Sequence, residues 1–507
     1  SAVDRISSIR SGFFGTFCTH SISIALIPSA FAHFNPSTVP PGRGVECGQP
    51  ATAKRNIRVV CIKMPLQRDI IDRTLSSRLG ERSFQVSEIL INAGFDTWWV
   101  GGAVREMLRC RLPEDIDIAT AARPDDVIKL FPKCDEIGKK FGSIVVSHRG
   151  ATFEVTTFRE DDAASDGRHP ETVCFGTREK DAERRDFTVN AMYWNPVGGN
   201  LYDPFSGEQD LTERLIRFIG DPKTRIRHDA LRMLRAIRFR ALIDGQYHPE
   251  TFAALRSLAA LAVELSGQRI TTEIEKMLLG PHPERALEDL WETEILHAII
   301  PELAACKGIP QPADYHHEGD VWNHTLQCAS SFTEDHKADT RWAAVFHDIG
   351  KTKTFSISDR IHFDHHAEIS AEIIRSVFRR LQFPKARIDK IAWIADHHMM
   401  MGSFCTMSPE RKAHWYYHPW FTELLQVMWL DIAGTDPANF SLYEEIIADY
   451  NRFLDEHPRP PKALLSGDEI MEILGIAPGE QVGKAAKALA DAQVRKEMTT
   501  KREAREF

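Results

Sequence analysis

The chain has 507 residues, 43% apolar and 27% charged, which is a globular composition with room for three or more cores. Its net charge of −9 excludes an overall basic surface but leaves open a local basic face, because net charge is a whole-surface sum. The nine cysteines form no CxxC pair, and no stretch holds the roughly 18 apolar residues that cross a bilayer; a disulfide framework, a cysteine-rich zinc module and a membrane partner are excluded, and a cytoplasmic protein is expected.

Residues 1–63 are rich in Ser, Gly and Pro, carry few acids and show no sustained period. They are expected to be a disordered extension, with Met64 as the true first residue. Leu66 to Ala93 reads as helix. Phe95 to Val100 reads as a strand running directly into Gly101-Gly102-Ala103-Val104-Arg105. Two glycines between strand and helix let backbone N–H groups approach a phosphate at a positive helix terminus.

Glu114-Asp115-Ile116-Asp117-Ile118-Ala119-Thr120 follows within the same strand–helix–strand unit. Strand alternation puts Asp115 and Asp117 on one face and the isoleucines on the other. Aspartates side by side in a strand repel, so the pattern suits a cation held between them. Arg123 to Phe131 predicts a short helix, and Ser143–His148 with Thr152–Phe158 predicts a hairpin around Arg149-Gly150. The second hairpin strand carries Glu154. If it lies beside the aspartate strand, three carboxylates converge, a geometry that holds two Mg²⁺ ions around a nucleoside triphosphate. Arg159 to Glu183 has no apolar period and reads as a mobile loop. It ends in Arg184-Arg185-Asp186-Phe187-Thr188-Val189-Asn190, where paired arginines suit a triphosphate and Asn190 a ribose hydroxyl.

Gly101-Gly102-x-x-Arg105, Asp115-x-Asp117, Glu154-Val-Thr-Thr-Phe, Arg184-Arg-Asp-Phe-Thr-x-Asn190 and Asp203-Pro-x-x-Gly207 occur in that order. This series resembles the bacterial class II tRNA nucleotidyltransferases, the CCA-adding enzymes, and their relatives the bacterial poly(A) polymerases. The resemblance implies that Asp115 and Asp117 bind catalytic metal, with Glu154 beside them. It also implies that a helix over Arg227–Phe239 selects bases through Asp229 and Arg232, whose acceptor and donor fork match C and A better than G and U; His228 stands where the family usually has an acid. The loop Asp166-Gly-Arg168-His-Pro170 is similar to the family's flexible loop for switching from C to A. Nine basic residues between 210 and 240, Arg235 and Arg238 among them, face four acids there, a net +5 suited to RNA or a triphosphate. Ser266-Gly-Gln-Arg269 resembles the family's last neck motif and is assigned to packing.

A second chemistry lies downstream. Val321-Trp-Asn-His324, Phe346-His347-Asp348, Asp364-His365-His366, Asp396-His397-His398 and Leu430-Asp431 set imidazoles and carboxylates on helices, where they can hold one or two divalent metals and activate water. The ordered series resembles the HD phosphohydrolase superfamily. His324, His347, Asp348 and Asp431 are then the first ligands. His366 and His398 serve a second metal, with His365 and His397 as alternatives one residue away.

The expected fold is α+β, with a polymerase beta-like nucleotidyltransferase head of mixed sheet and helices, then an all-α neck, an HD body and a tail. The boundaries are 64–211 for the head, 212–280 for the neck, 281–440 for the HD domain and 441–507 for the tail. The tail includes a helix at Gly467–Leu474 and a solvated helix end at 496–506. The expected function is template-independent addition of C, C and A to the tRNA 3′ end from CTP and ATP. It uses two Mg²⁺ in the head and a divalent transition metal at the HD site, the latter for phosphohydrolysis. The expected nucleotide contacts are Gly101, Gly102, Arg105, Arg184, Arg185, Asp186, Asn190, Asp229, Arg232, Arg235 and Arg238. The alternatives are an A-adding enzyme or poly(A) polymerase on the same scaffold, an HD phosphohydrolase whose N-terminal half binds RNA, and a non-catalytic RNA-binding protein.

Overall fold

Runs of β-branched and aromatic residues build the sheet that carries the aspartates. In a computed structural model that describes residues 67–160, 174–312, 316–457, 462–494 and 497–507, seven strands form one mixed sheet. They are β1 (Thr97–Val100), β2 (Asp117–Thr120), β3 (Cys134–Asp135), β4 (Ser143–His148), β5 (Ala151–Thr157), β8 (Tyr193–Trp194) and β9 (Leu201–Tyr202), in the order β3-β4-β5-β2-β1-β8-β9. β2 runs parallel to β5 and the other neighbours are antiparallel. Ile118 lies opposite Val155, so Glu154 comes beside Asp117 on one face. The expectations for residues 1–63 and the 166–170 loop fall outside the described residues.

Both faces of the sheet are covered. Trp99, Ile118, Ile144 and Val155 enter the main core; Trp98, Val100, Ala119 and Tyr193 form a smaller one on the other side. Trp99 is fully buried, meets Trp194 at a ring separation of 5.0 Å, and donates its indole N–H to Ser87 Oγ at 3.0 Å. Burying this indole without that acceptor would leave an unsatisfied donor. The strand starts at Asp117, two residues later than the pattern suggests: Asp115 lies in the extended lead-in, where its carboxylate caps the N–H of Ile116 at 2.8 Å. Ile116 and Ile118 are nevertheless buried and Asp115 and Asp117 exposed, so the alternation holds through the lead-in.

Three local expectations need correction. The predicted helix 66–93 is two helices, Arg68–Ser76 and Arg78–Asn92, because Ser77 leaves helical geometry to cap the second. The segment read as a loop from Arg159 to Glu183 is ordered at both ends: β6 (Arg159–Glu160) pairs with β7 (Cys174–Phe175), and Arg178–Glu183 is a helix, α2 by chain order after α1 (Gly102–Leu108). The predicted helix 227–239 is broken. α3 (Pro222–His228) ends at Asp229, whose φ of −152° and ψ of 106° are extended, and α4 (Leu231–Ile243) begins beyond it.

Among the described residues the main core runs from Val86 to Ile446, so sheet, neck and helical body are packed continuously. The tail has its own small core of Leu465, Ile470, Leu489, Ala492, Met498 and Ala504. Its predicted helix Gly467–Leu474 is present with a capping box from Ser466 and Glu469, whereas the last helix covers only Lys501–Glu506. The six described cysteines are free, and no described helix is long and apolar enough to cross a membrane.

Gly101 joins β1 to α1 with φ of 66° and ψ of −117°, a conformation closed to side chains. Gly101→Ala is expected to lower stability by about 1–3 kcal/mol, measured by chemical denaturation.

Candidate functional site

A cleft of about 720 Å³ opens between the sheet, α1, α4 and the end of α5 (Gly267–Leu278), and every expected nucleotide contact lines it. Asp115 and Asp117 also line it, and Glu154 stands behind Asp117 without reaching the cavity, accepting a hydrogen bond from Ser143 Oγ at 2.6 Å. Among the described residues none of these three carboxylates has a lysine or arginine at ion-pair distance. Crowded carboxylates without a fixed counter-ion suit a divalent cation. Asp117 is pushed up to about 6 by desolvation at the foot of the cleft, then by the charges of Asp115 and Glu154, with Arg185 pulling the other way.

Arg184 and Arg185 are held from behind by a residue that the sequence reading passed over. Asp181, buried in α2, accepts from Arg184 Nε at 2.8 Å, from Arg185 Nη2 at 3.0 Å and from the Tyr193 hydroxyl at 2.7 Å. Burial alone would raise its pKa; Arg185 and Arg184 outweigh that and hold it at about 2. The signal was present as Asp at i with Arg at i+3 and i+4. Asn190 is buried between Arg105, which donates to its Oδ1 at 2.5 Å, and Asp186, which accepts from its Nδ2 at 3.0 Å; one amide hydrogen stays available to a ligand. Asp186 is held ionised against burial, chiefly by Arg235, whose Nε lies 2.7 Å away.

Asp229 and Arg232 both reach the cleft but are gripped separately. Arg269 donates to both Asp229 oxygens at 2.9 Å, while Arg232 donates to the Arg225 carbonyl at 2.8 Å. Arg269, assigned to packing from the sequence, does not line the cavity itself but holds the Asp229 carboxylate that does. Several bases in the stretch 210–240 are ion-paired within the fold: Arg217 with Asp210, Arg235 with Asp186, Arg238 with Glu273 and Arg240 with Asp289.

The second cluster is assembled from helix ends. His324 sits in α6 (Val321–Ser330), His347-Asp348 follow α7 (Ala338–Phe346), and His366 opens α8 (His366–Arg380). His398 follows α9 (Lys385–His397), and Asp431 lies in the last turn of α10 (Phe421–Ala433). Every imidazole is anchored through Nδ1: to Gly434 O at 3.1 Å for His324, Ala344 O at 2.8 Å for His347, Phe363 O at 2.9 Å for His366 and Ala395 O at 2.6 Å for His398. A carbonyl can only accept, so Nδ1 carries the hydrogen and Nε2 faces the acids. His324 Nε2 is 3.1 Å from Asp431 Oδ1, His347 Nε2 is 3.4 Å from Asp348 Oδ2, and His366 Nε2 is 3.3 Å from Asp348 Oδ1. His398 Nε2 lies 3.7 Å from Asp348 Oδ1. The alternatives point elsewhere: His365 is exposed beside Glu368, and His397 stacks on Trp393 at 4.5 Å. His347 Nε2 is buried with no hydrogen-bond partner, as expected of a metal-facing lone pair. Gly350 admits this assembly, since a Cβ there would stand 2.1 Å from His366 O. Lys351, not foreseen, places its ammonium 2.6 Å from Asp348 Oδ2.

A nucleotide-sized cleft beside crowded carboxylates, on a mixed sheet with a histidine-bearing helical body, is the architecture of a nucleotidyltransferase joined to an HD domain. The chain matches the Poly A polymerase head domain over residues 97–217, the probable RNA and SrmB-binding site of polymerase A over 246–307, and the HD domain over 315–448. The CCA-adding enzyme of Streptococcus pneumoniae (strain CGSP14) is 30% identical over 336 residues, 62% of this chain and 84% of that protein. The CCA-adding enzyme of Geobacillus stearothermophilus is 45% identical over 212 residues, 42% of this chain and 52% of that one. The chain thus spans about half the length of this and several similar curated relatives. The crystal structure of the Bacillus stearothermophilus CCA-adding enzyme in complex with CTP superimposes with a TM-score of 0.62 at 27% identity, covering 84% of this chain and 95% of that one. The chain belongs to the family of the CCA-adding enzymes.

A divalent cation placed on Asp117 would compete with its proton, so such a cation's affinity for the cleft should hold above pH 6 and fall below it. Glu154→Gln removes a like charge that raises this pKa, so the fall should move to lower pH. Mn²⁺ titrations across pH 5–8 measure both.

Proposed function

We propose that this protein adds C, C and A to the 3′ end of tRNA from CTP and ATP, releasing pyrophosphate. The observation that carries the reading is the cleft itself, one cavity lined by Asp115 and Asp117, by the anchored pair Arg184 and Arg185, and by Asp229 and Arg232. When bound, two Mg²⁺ ions held by Asp115 and Asp117 would activate the RNA 3′-hydroxyl and neutralise the triphosphate. The side chains do the rest. Asp181 keeps Arg184 and Arg185 extended towards the phosphates, and preorganised cations need no reorganisation as charge develops on the leaving group. The remaining amide hydrogen of Asn190 meets the sugar. Arg269 fixes the Asp229 carboxylate, which with Arg232 reads the edges shared by C and A.

The helical body supports a second reading that coexists with the first, divalent-metal phosphohydrolysis. It rests on the orphaned His347 Nε2 and the three other Nε2 atoms turned to Asp348 and Asp431. His324, His347, Asp348 and Asp431 would hold one ion and His366 and His398, with Asp348, a second; their chemistry is to supply a water of lowered pKa.

Purified protein given tRNA lacking CCA, with CTP alone, ATP alone or both, decides the first reading. C addition from CTP alone is expected; A addition without C would establish the A-adding alternative. Asp115→Ala should abolish addition while phosphohydrolysis continues, and retained C incorporation would refute the assignment. Arg269→Ala should raise misincorporation of G and U about tenfold, through loss of the charge-assisted contact that holds both Asp229 oxygens, measured by competing nucleotides in single-turnover reactions.

A further inference from the structure

Three of the four clustered imidazoles take their Nδ1 anchor from a backbone carbonyl three residues earlier in their own segment. His324 reaches outside its helix instead. Besides Gly434 O, its Nδ1 meets Glu318 Oε1 at 3.3 Å. The Glu318 side chain has no exposed surface, and among the described residues no lysine or arginine pairs with it. Its Oε1 accepts from His316 Nδ1 at 2.5 Å and from Gln311 Nε2 at 3.4 Å, and its Oε2 accepts the backbone N–H of Asp436 at 3.1 Å. Asp436 lies five residues beyond Asp431, so one buried carboxylate touches His324 and the chain that delivers Asp431.

His316, Glu318 and His324 bring donor atoms close enough to be a third ion site. The geometry argues against that use: Nδ1 of His324 faces a carbonyl and must carry a hydrogen there, so it has no lone pair for an ion. What Glu318 can do is draw on that N–H. A carboxylate behind a histidine fixes the tautomer, stiffens the ring and makes the opposite nitrogen a better ligand.

We propose that Glu318 is a positioning residue of the histidine–aspartate centre, orienting His324 Nε2 and steadying Asp431 through Asp436. The proposal rests on the metal-binding reading of that centre.

The test is Co²⁺ binding by the full chain after chelation. Asp115→Asn and Asp117→Asn are placed in every protein compared, so that ions in the head are not counted. The parent should bind two ions, and His347→Ala should weaken them. Glu318→Gln, which keeps the volume, should weaken the ion that uses His324 by about 10–100-fold and alter the cobalt absorption spectrum, while the ion on His366 and His398 keeps its affinity. Glu318→Asp should recover part of the loss, and it carries the comparison if the glutamine variant does not fold. Unchanged binding in Glu318→Gln, or equal weakening of both ions, overturns the role of Glu318. A parent that binds no ion overturns the metal reading before any Glu318 variant is considered.

Discussion

The cleft hangs on the ion-paired network around Asp181, a side chain only 1% exposed that takes both neighbouring arginines and a tyrosine hydroxyl. Burying an ion is expensive, and it is tolerated here because four charged or polar groups satisfy one another. Removing one partner of such a set typically costs about 3–5 kcal/mol, since the rest are stranded. The same network holds Arg184 and Arg185 in place, and Arg185 in turn moderates the proton affinity of Asp117. Stability and electrostatic preparation of the cleft therefore share one set of contacts.

The two carboxylate clusters solve the problem of like charge in opposite ways. In the head, Asp115 and Asp117 remain open to solvent and one of them holds its proton to about pH 6. In the body, Asp348 and Asp431 are held well below the ordinary carboxylate range, buried Asp348 chiefly by His347 and Lys351, half-buried Asp431 by His324 and His347. An open pair suits a substrate that arrives with its cations and leaves again. A set enclosed by imidazoles suits an ion that stays.

Much of this was legible in the sequence because it is periodic or local. The alternation through Ile116 and Ile118, the hairpin around Arg149-Gly150 and the ordered histidine–aspartate series all survive in the structure. What escaped depends on partners far apart in sequence. Arg269 lies forty residues from Asp229, and nothing local says that it grips that carboxylate rather than a neighbouring helix. The choice between His365 and His366 is a matter of one residue at a helix start, settled by a carbonyl at Phe363 that no period encodes. The break at Asp229 came from an extended residue between two runs that each read as helical. The loop from Arg159 to Glu183 was misread because its strands are only two residues long and its helix six, too short for a period to show.

The main core shared by sheet, neck and helical body has a bearing on how such a chain can change over generations. A lineage with no use for the histidine–aspartate cluster is free to lose His347 or Asp348, but not the helices beside them, because those helices wall the same interior as the sheet. Selection acting on the cleft alone would then preserve the body as scaffolding. The tail, with a small interior of its own, is under no such obligation and is the part most readily exchanged, trimmed or replaced.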